Sequence, residues 1–144
     1  MNSTLSRPQA DGVHQTNAIR LPVVDLTGIA GLSAVIAIHT SELSGKVEET
    51  AYLGFGYVLL IAASIVSIVL LAQRDLRGWI LGGLTAAATF AGYVLTRTTG
   101  LPGAHGDVGN WGETIGVWSL VAEGFVVVVA LLAIASRRSE TARG

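Results

Sequence analysis

Apolar residues occur along this chain in four long runs, separated by short polar breaks. The clearest run, AYLGFGYVLLIAASIVSIVLL, covers Ala51 to Leu71 and holds no charge. A second uncharged run, GWILGGLTAAATFAGYVLT, covers Gly78 to Thr96. A third, ETIGVWSLVAEGFVVVVALLAIAS, extends from Glu113 to Ser136 with Glu123 in its interior. The run nearest the N-terminus is the shortest: Leu26 to Ile38 reaches spanning length only with Asp25 and His39 as its ends. A bilayer core ~30 Å thick is crossed by ~20 apolar residues in a helix. Backbone groups in lipid must be bonded internally, so helices are the expected spanning form. The pattern therefore predicts an all-α membrane protein, a four-transmembrane-helix bundle with spans at about 23–41, 51–72, 78–97 and 113–136.

The segments outside the runs are polar and unpatterned. Residues 1–20 lack the apolar core of a signal peptide and read as a disordered cytoplasmic tail. Residues 21–136 form the predicted membrane domain, and 137–144 a second cytoplasmic tail.

Charge placement orients the bundle. Lys and Arg flanking spans favour the cytoplasm. Arg7, Arg20, Arg74, Arg77, Arg137, Arg138 and Arg143 fall in the two tails and the middle loop. Lys46 and Arg97 fall in the other two loops, which also carry Glu42, Glu48, Glu49, Asp107 and Glu113. Both termini are therefore expected in the cytoplasm of a multi-pass protein of the bacterial plasma membrane. Trp111 and Trp118 at one interface, and Trp79 at the other, suit an aromatic belt.

Composition adds little beyond agreement. Only 13% of residues are charged, about half of what solvates a soluble domain. The net charge of −1 gives no reason to expect nucleic acid. The absence of cysteine excludes disulfides, thiolate metal sites and a cysteine nucleophile. Gly82, Thr85, Thr89, Gly92 and Thr96 share one helical face, and Gly112 and Gly116 make a GxxxG step. Such stripes let helices approach closely in lipid. They point first to packing inside the bundle and second to a homo-oligomer.

A few polar residues call for chemistry. Glu123 lies ten residues into the last span, near the expected midplane, where an ionised carboxylate costs at least ~2.5 kcal/mol. Gly112, Gly116, Ser119 and Glu123 share a face, so Glu123 is expected to point into the bundle. His39 shares a face with Asp25 and sits at the outer end of the first span. Glu48, Arg97 and Glu113 fall at that same end. A candidate polar site of His39, Glu48, Arg97, Glu113 and Glu123 follows. His39, Glu48 and Glu123 are its weak metal candidates, since a histidine with carboxylates suits a hard or borderline divalent ion. Arg97 argues against a metal and towards an ion-paired network. Blander accounts are available too. Arg97 can snorkel to lipid phosphate. Asn110 can cap the last helix, with Glu113 in capping-box position.

Together these residues resemble a widespread class of small bacterial four-helix membrane proteins. The carriers are His39, Glu48, Gly54, the stretch RTTGLPG from Arg97 to Gly103, Glu113, Gly116 and Glu123. The similarity covers about residues 26–136. In that class a Pro-Glu-His step commonly follows the first histidine. Here the matching place reads SGKVEE, with Gly45 and Lys46 where that Glu and second His would stand. The resemblance implies an architecture and no activity.

No Ser/His/Asp set, HExxH or phosphate loop is present, so an enzyme is not indicated and no cofactor is expected. A single histidine at membrane depth argues against a bis-histidine haem. The expected function is a small integral membrane protein with an outer-side site for a cation or proton. The alternative is a structural or accessory subunit of a larger membrane complex, with the bilayer and a complex or homo-oligomer as partners.

Overall fold

The computed structural model describes residues 22–141, and the expected 1–20 tail lies outside the described residues. Four helices follow one another: α1 (Val23–Glu49), α2 (Ala51–Ala72), α3 (Leu76–Thr98) and α4 (Thr114–Thr141). Each is long and apolar enough to cross a membrane. α1 packs on α2 and α4, and α3 packs on α2 and α4, while α1 and α3 meet across the diagonal mainly through side chains, Trp79 of α3 reaching Asp25 and Gly28 of α1. The result is an up-and-down ring of four helices. Asp25 near the start of α1 meets Arg137 near the end of α4, so both ends of the described chain lie together. We call this the Asp25 end and the opposite one the His39 end.

α1 is longer than its apolar run. The stretch expected as a loop, Glu42 to Glu49, continues as helix. Lys46 bonds Glu49 at 2.7 Å, three residues on, a spacing that supports helix. At ~1.5 Å per residue, 27 residues span ~40 Å, so its polar turns extend past a bilayer core. The connection to α2 is one extended residue, Thr50 (φ −155°, ψ 141°). So sharp a corner needs Gly54, where a Cβ would meet Val47 Cγ2 at 2.5 Å.

At the Asp25 end, α2 turns into α3 through Gln73 and Arg74. Asp75 caps α3, its carboxylate accepting from the Arg77 N–H at 2.9 Å. α4 likewise extends beyond its expected end, through residues assigned in part to a tail, to Thr141.

The buried core lies towards the Asp25 end: Leu32, Val35, Leu71, Trp79, Ala86, Val126, Ala130 and Ala133. Trp79 is 1% exposed, which corrects its expected place in an interfacial belt. Its indole N–H donates to Asp25 Oδ1 at 2.8 Å, and that acceptor draws it inward. The outside is apolar, with Phe55, Leu59, Leu84, Val128, Leu131 and Leu132 exposed. Patches of this kind mark a membrane or partner surface, and together with the four spans they describe a multi-pass membrane protein.

Candidate functional site

The His39 end is built differently from the core. α2 and α3 meet closely near the Asp25 end, where a Cβ on Gly78 would lie 2.9 Å from the Leu71 nitrogen. Towards the His39 end a cavity of about 610 Å³ opens between the helices. The small-residue face of α3 lines it: Thr85, Thr89, Gly92 and Thr96. A Cβ on Gly92 would meet nothing within 4 Å. Only Gly82, against Leu32 and Ser67, uses that stripe for close packing. Gly112 precedes α4, so the GxxxG step is half used: Gly116 sits under the Tyr93 ring, 2.5 Å from a built Cβ.

The mouth is a lattice of charge. Asp107 comes from the α3–α4 loop and reaches Lys46 Nζ at 3.1 Å and Arg97 Nη1 at 2.8 Å. Arg97, 4% exposed, also pairs with Glu113 and lies 4.7 Å from the Tyr93 ring centre, a cation–π distance. Burial opposes ionisation of Asp107, but the hydrogen bonds from Lys46 and Arg97 outweigh it and hold its carboxyl below the usual range.

Loop chemistry places Asp107. Pro102 and Gly103 (φ 75°) form a turn closed by Leu101 and Ala104 at 3.1 and 2.8 Å. A proline followed by a positive-φ glycine is the type II pattern. Tyr52 Oη donates to the Pro102 carbonyl at 2.8 Å and ties the turn to α2. The Gly109 N–H then bonds the Arg97 carbonyl at 2.9 Å. The expected capping box does not form. Asn110 sits in a turn with its N–H on the Asp107 carbonyl, and the Glu113 carboxylate goes to Arg97 instead.

Deeper in the cavity lies a second pair. His39 Nε2 faces Glu123 Oε1 at 3.5 Å. Both side chains are buried, Glu123 completely. Ser119 Oγ donates to the same Oε1 at 2.7 Å, four residues back on α4. His39 Nδ1 lies 2.9 Å from the Val35 carbonyl, which can only accept, so Nδ1 carries a proton. In a neutral imidazole Nε2 is then a lone pair. Glu123 Oε2 is buried without a hydrogen-bond partner. The Tyr57 ring stands 5.0 Å from the His39 ring.

The structure thus brings four of the five sequence candidates to one cavity, in two layers: Arg97 with Glu113, and His39 with Glu123. Glu48 is exposed and does not line it, whereas its neighbour Glu49 does. Among the described residues no group of three acidic or histidine side chains is arranged to hold a metal ion. Lys46, Asp107, Tyr57 and Tyr93 line the cavity without having been among the site candidates. Tyr57 and Tyr93 sit inside the two uncharged apolar runs. Asp107 lies in a glycine-rich loop whose path only the fold defines.

Fold and cavity together define a class: a small all-helical bundle of four membrane-length helices around a polar-mouthed cavity. No family model, curated protein or solved structure matches the chain.

Proposed function

We propose that this chain is an integral protein of a bacterial plasma membrane that binds a single exchangeable proton between His39 and Glu123. The observation that carries this reading is the 3.5 Å approach of Glu123 Oε1 to His39 Nε2, both side chains being buried. Without a proton between them, a carboxylate would face an imidazole lone pair. With one, as carboxylic acid and imidazole or as carboxylate and imidazolium, the contact is attractive. An ionisable group at such depth is a functional site by default. The ion pairs of Arg97 and Lys46 stay at the mouth and leave Glu123 to His39.

The charge pattern supports a cytoplasmic Asp25 end, since Arg74, Arg77, Arg137 and Arg138 gather there. The cavity then opens on the outer side. The resemblance to small bacterial four-helix membrane proteins fits this placement.

Infrared spectroscopy of the protein in nanodiscs tests the reading. A carboxylic C=O stretch that titrates with pH, and is lost in Glu123→Gln, is expected. A spectrum with no titrating band that depends on either Glu123 or His39 would refute it.

A further inference from the structure

The cavity is much larger than a proton site requires. At about 610 Å³ it falls in the ~300–1,000 Å³ range of pockets that enclose drug-sized molecules. We propose that it binds a lipophilic organic cation, which takes the proton's place at Glu123. This inference rests on the proton reading and deepens it.

Charge selects the sign of the ligand. The cavity is lined by four carboxylates at its upper levels, Glu42, Glu49, Asp107 and Glu113, against two cations, Lys46 and Arg97. Those two cations are already engaged: Lys46 by Glu49 and Asp107, Arg97 by Asp107 and Glu113. Below them Glu123 contributes one more carboxyl. Its Oε2 is fully buried and has no hydrogen-bond partner. An anion entering here would meet an excess of negative charge. A cation would meet an acceptor that nothing else satisfies.

The walls select an apolar, aromatic body. Leu53, Leu60, Ala63 and Leu81 line the cavity, and Tyr57 and Tyr93 add ring faces. Aromatic faces and a carboxylate together recognise organic ammonium and phosphonium ions. Gly56 and Gly92 both border the cavity, and a Cβ on either would meet nothing within 4 Å. Room has been left where a side chain would fill it.

The route in is sideways. Gly56, Leu59 and Ala88 border the cavity and are also exposed on the outside of the bundle. α2 and α3 approach closely at Gly78 and Gly82 near the Asp25 end, whereas a Cβ on Gly56 or Gly92, towards the His39 end, would leave a gap of more than 4 Å. The gap between them faces the surface that lipid would cover, so a ligand dissolved in the membrane enters without crossing the charged mouth.

Binding couples to protonation. When Glu123 carries the proton, the incoming cation converts the carboxylic acid to carboxylate and one proton leaves. The titratable groups facing Glu123 are His39 from α1 and Tyr57 from α2. α3 presents Thr85 and Thr89 at the middle of the cavity, with Tyr93 and Arg97 nearer the mouth. Affinity therefore rises with pH until Glu123 is ionised, then levels.

Calorimetry with tetraphenylphosphonium and tetraphenylborate tests this on the full chain in nanodiscs. The two ions match in size and apolar surface and differ in sign. The phosphonium is expected to bind, releasing protons at low pH, and the borate to bind at least roughly tenfold more weakly. Glu123→Gln should weaken the phosphonium by a similar factor. Gly92→Leu, which fills the cavity without touching Glu123, should abolish binding while the carboxylic band persists. Equal binding of both ions, or full affinity in Gly92→Leu, would overturn the inference. No phosphonium binding by a wild-type protein that keeps its titrating band would also overturn it, and would leave the proton reading standing.

Discussion

Asp25 of α1 accepts from Arg137 of α4 at 2.9 and 3.2 Å, across 112 residues of sequence. Arg137 also reaches the Arg74 carbonyl in the α2–α3 turn at 3.1 Å. Trp79 donates to the same Asp25 carboxylate. One fully buried carboxylate thus ties together α1, α3, α4 and the turn between α2 and α3.

Asp25→Asn keeps an acceptor for Trp79 and removes the charge facing Arg137. Arg137 is partly exposed, so water screens part of the loss. A destabilisation of about 1–2 kcal/mol is expected. Asp25→Leu removes the acceptor of both Trp79 and Arg137 and should cost more. Thermal unfolding in detergent checks the order: wild type, then Asn, then Leu.

Gly28 lies against the ring of Trp79, where an added Cβ would come within 2.3 Å of Cη2. The indole is held by its bond to Asp25 and cannot swing aside cheaply. Gly28→Ala should therefore destabilise by about 1–3 kcal/mol. Gly92→Ala, in open space, should be neutral or stabilising by up to about 1 kcal/mol through helix propensity. Paired melting curves of the two variants check this, and equal losses in both would contradict it.

Asp107 responds to acid. Its folded value is held below the ordinary 3.8 by Lys46 and Arg97, against the effect of burial. A carboxyl lowered in the folded state contributes stability that is present above its ordinary value. That contribution is lost as pH falls through the folded value. Wild-type melting temperature should therefore drop below about pH 4 more steeply than that of Asp107→Asn, which has no bridge left to lose. Parallel slopes would remove Asp107 from the account.

Arg97 holds the α3–α4 loop through Asp107 and Glu113. Arg97→Met retains bulk and loses both pairs. The loop should open more often, with local stability down by about 1–2 kcal/mol and amide exchange faster by about 5–30-fold. Exchange measured over 101–113 tests this. The Glu123 carboxylic band should be unchanged, because Arg97 does not touch that carboxyl.

Two of the four helices were legible almost to the residue. A continuous apolar run between polar breaks leaves one reading in lipid, and α2 and α3 begin and end within two residues of it. α1 and α4 overran their apolar runs. Hydropathy marks where a bilayer would end, whereas a helix ends where its hydrogen bonds and side-chain pairs stop. Lys46 with Glu49 carries α1 outward for that reason.

The inward face of Glu123 was also legible, because Ser119 and Gly116 stand one and two turns behind it. Periodicity decides which residues share a face of one helix. It cannot decide what stands opposite, since pairing across helices depends on their order, tilt and separation. His39 became the partner of Glu123, Arg97 that of Glu113 and Asp107, and Glu48 was left outside, through the ring order of the helices. The same packing turned the glycine–threonine stripe of α3 from a contact face into a cavity wall. Sequence alone determined that four helices span a membrane and that a carboxyl lies buried among them. Only the tertiary structure decided that this carboxyl meets a histidine in the wall of a cavity, because that meeting is set by distance between helices and not by order along one.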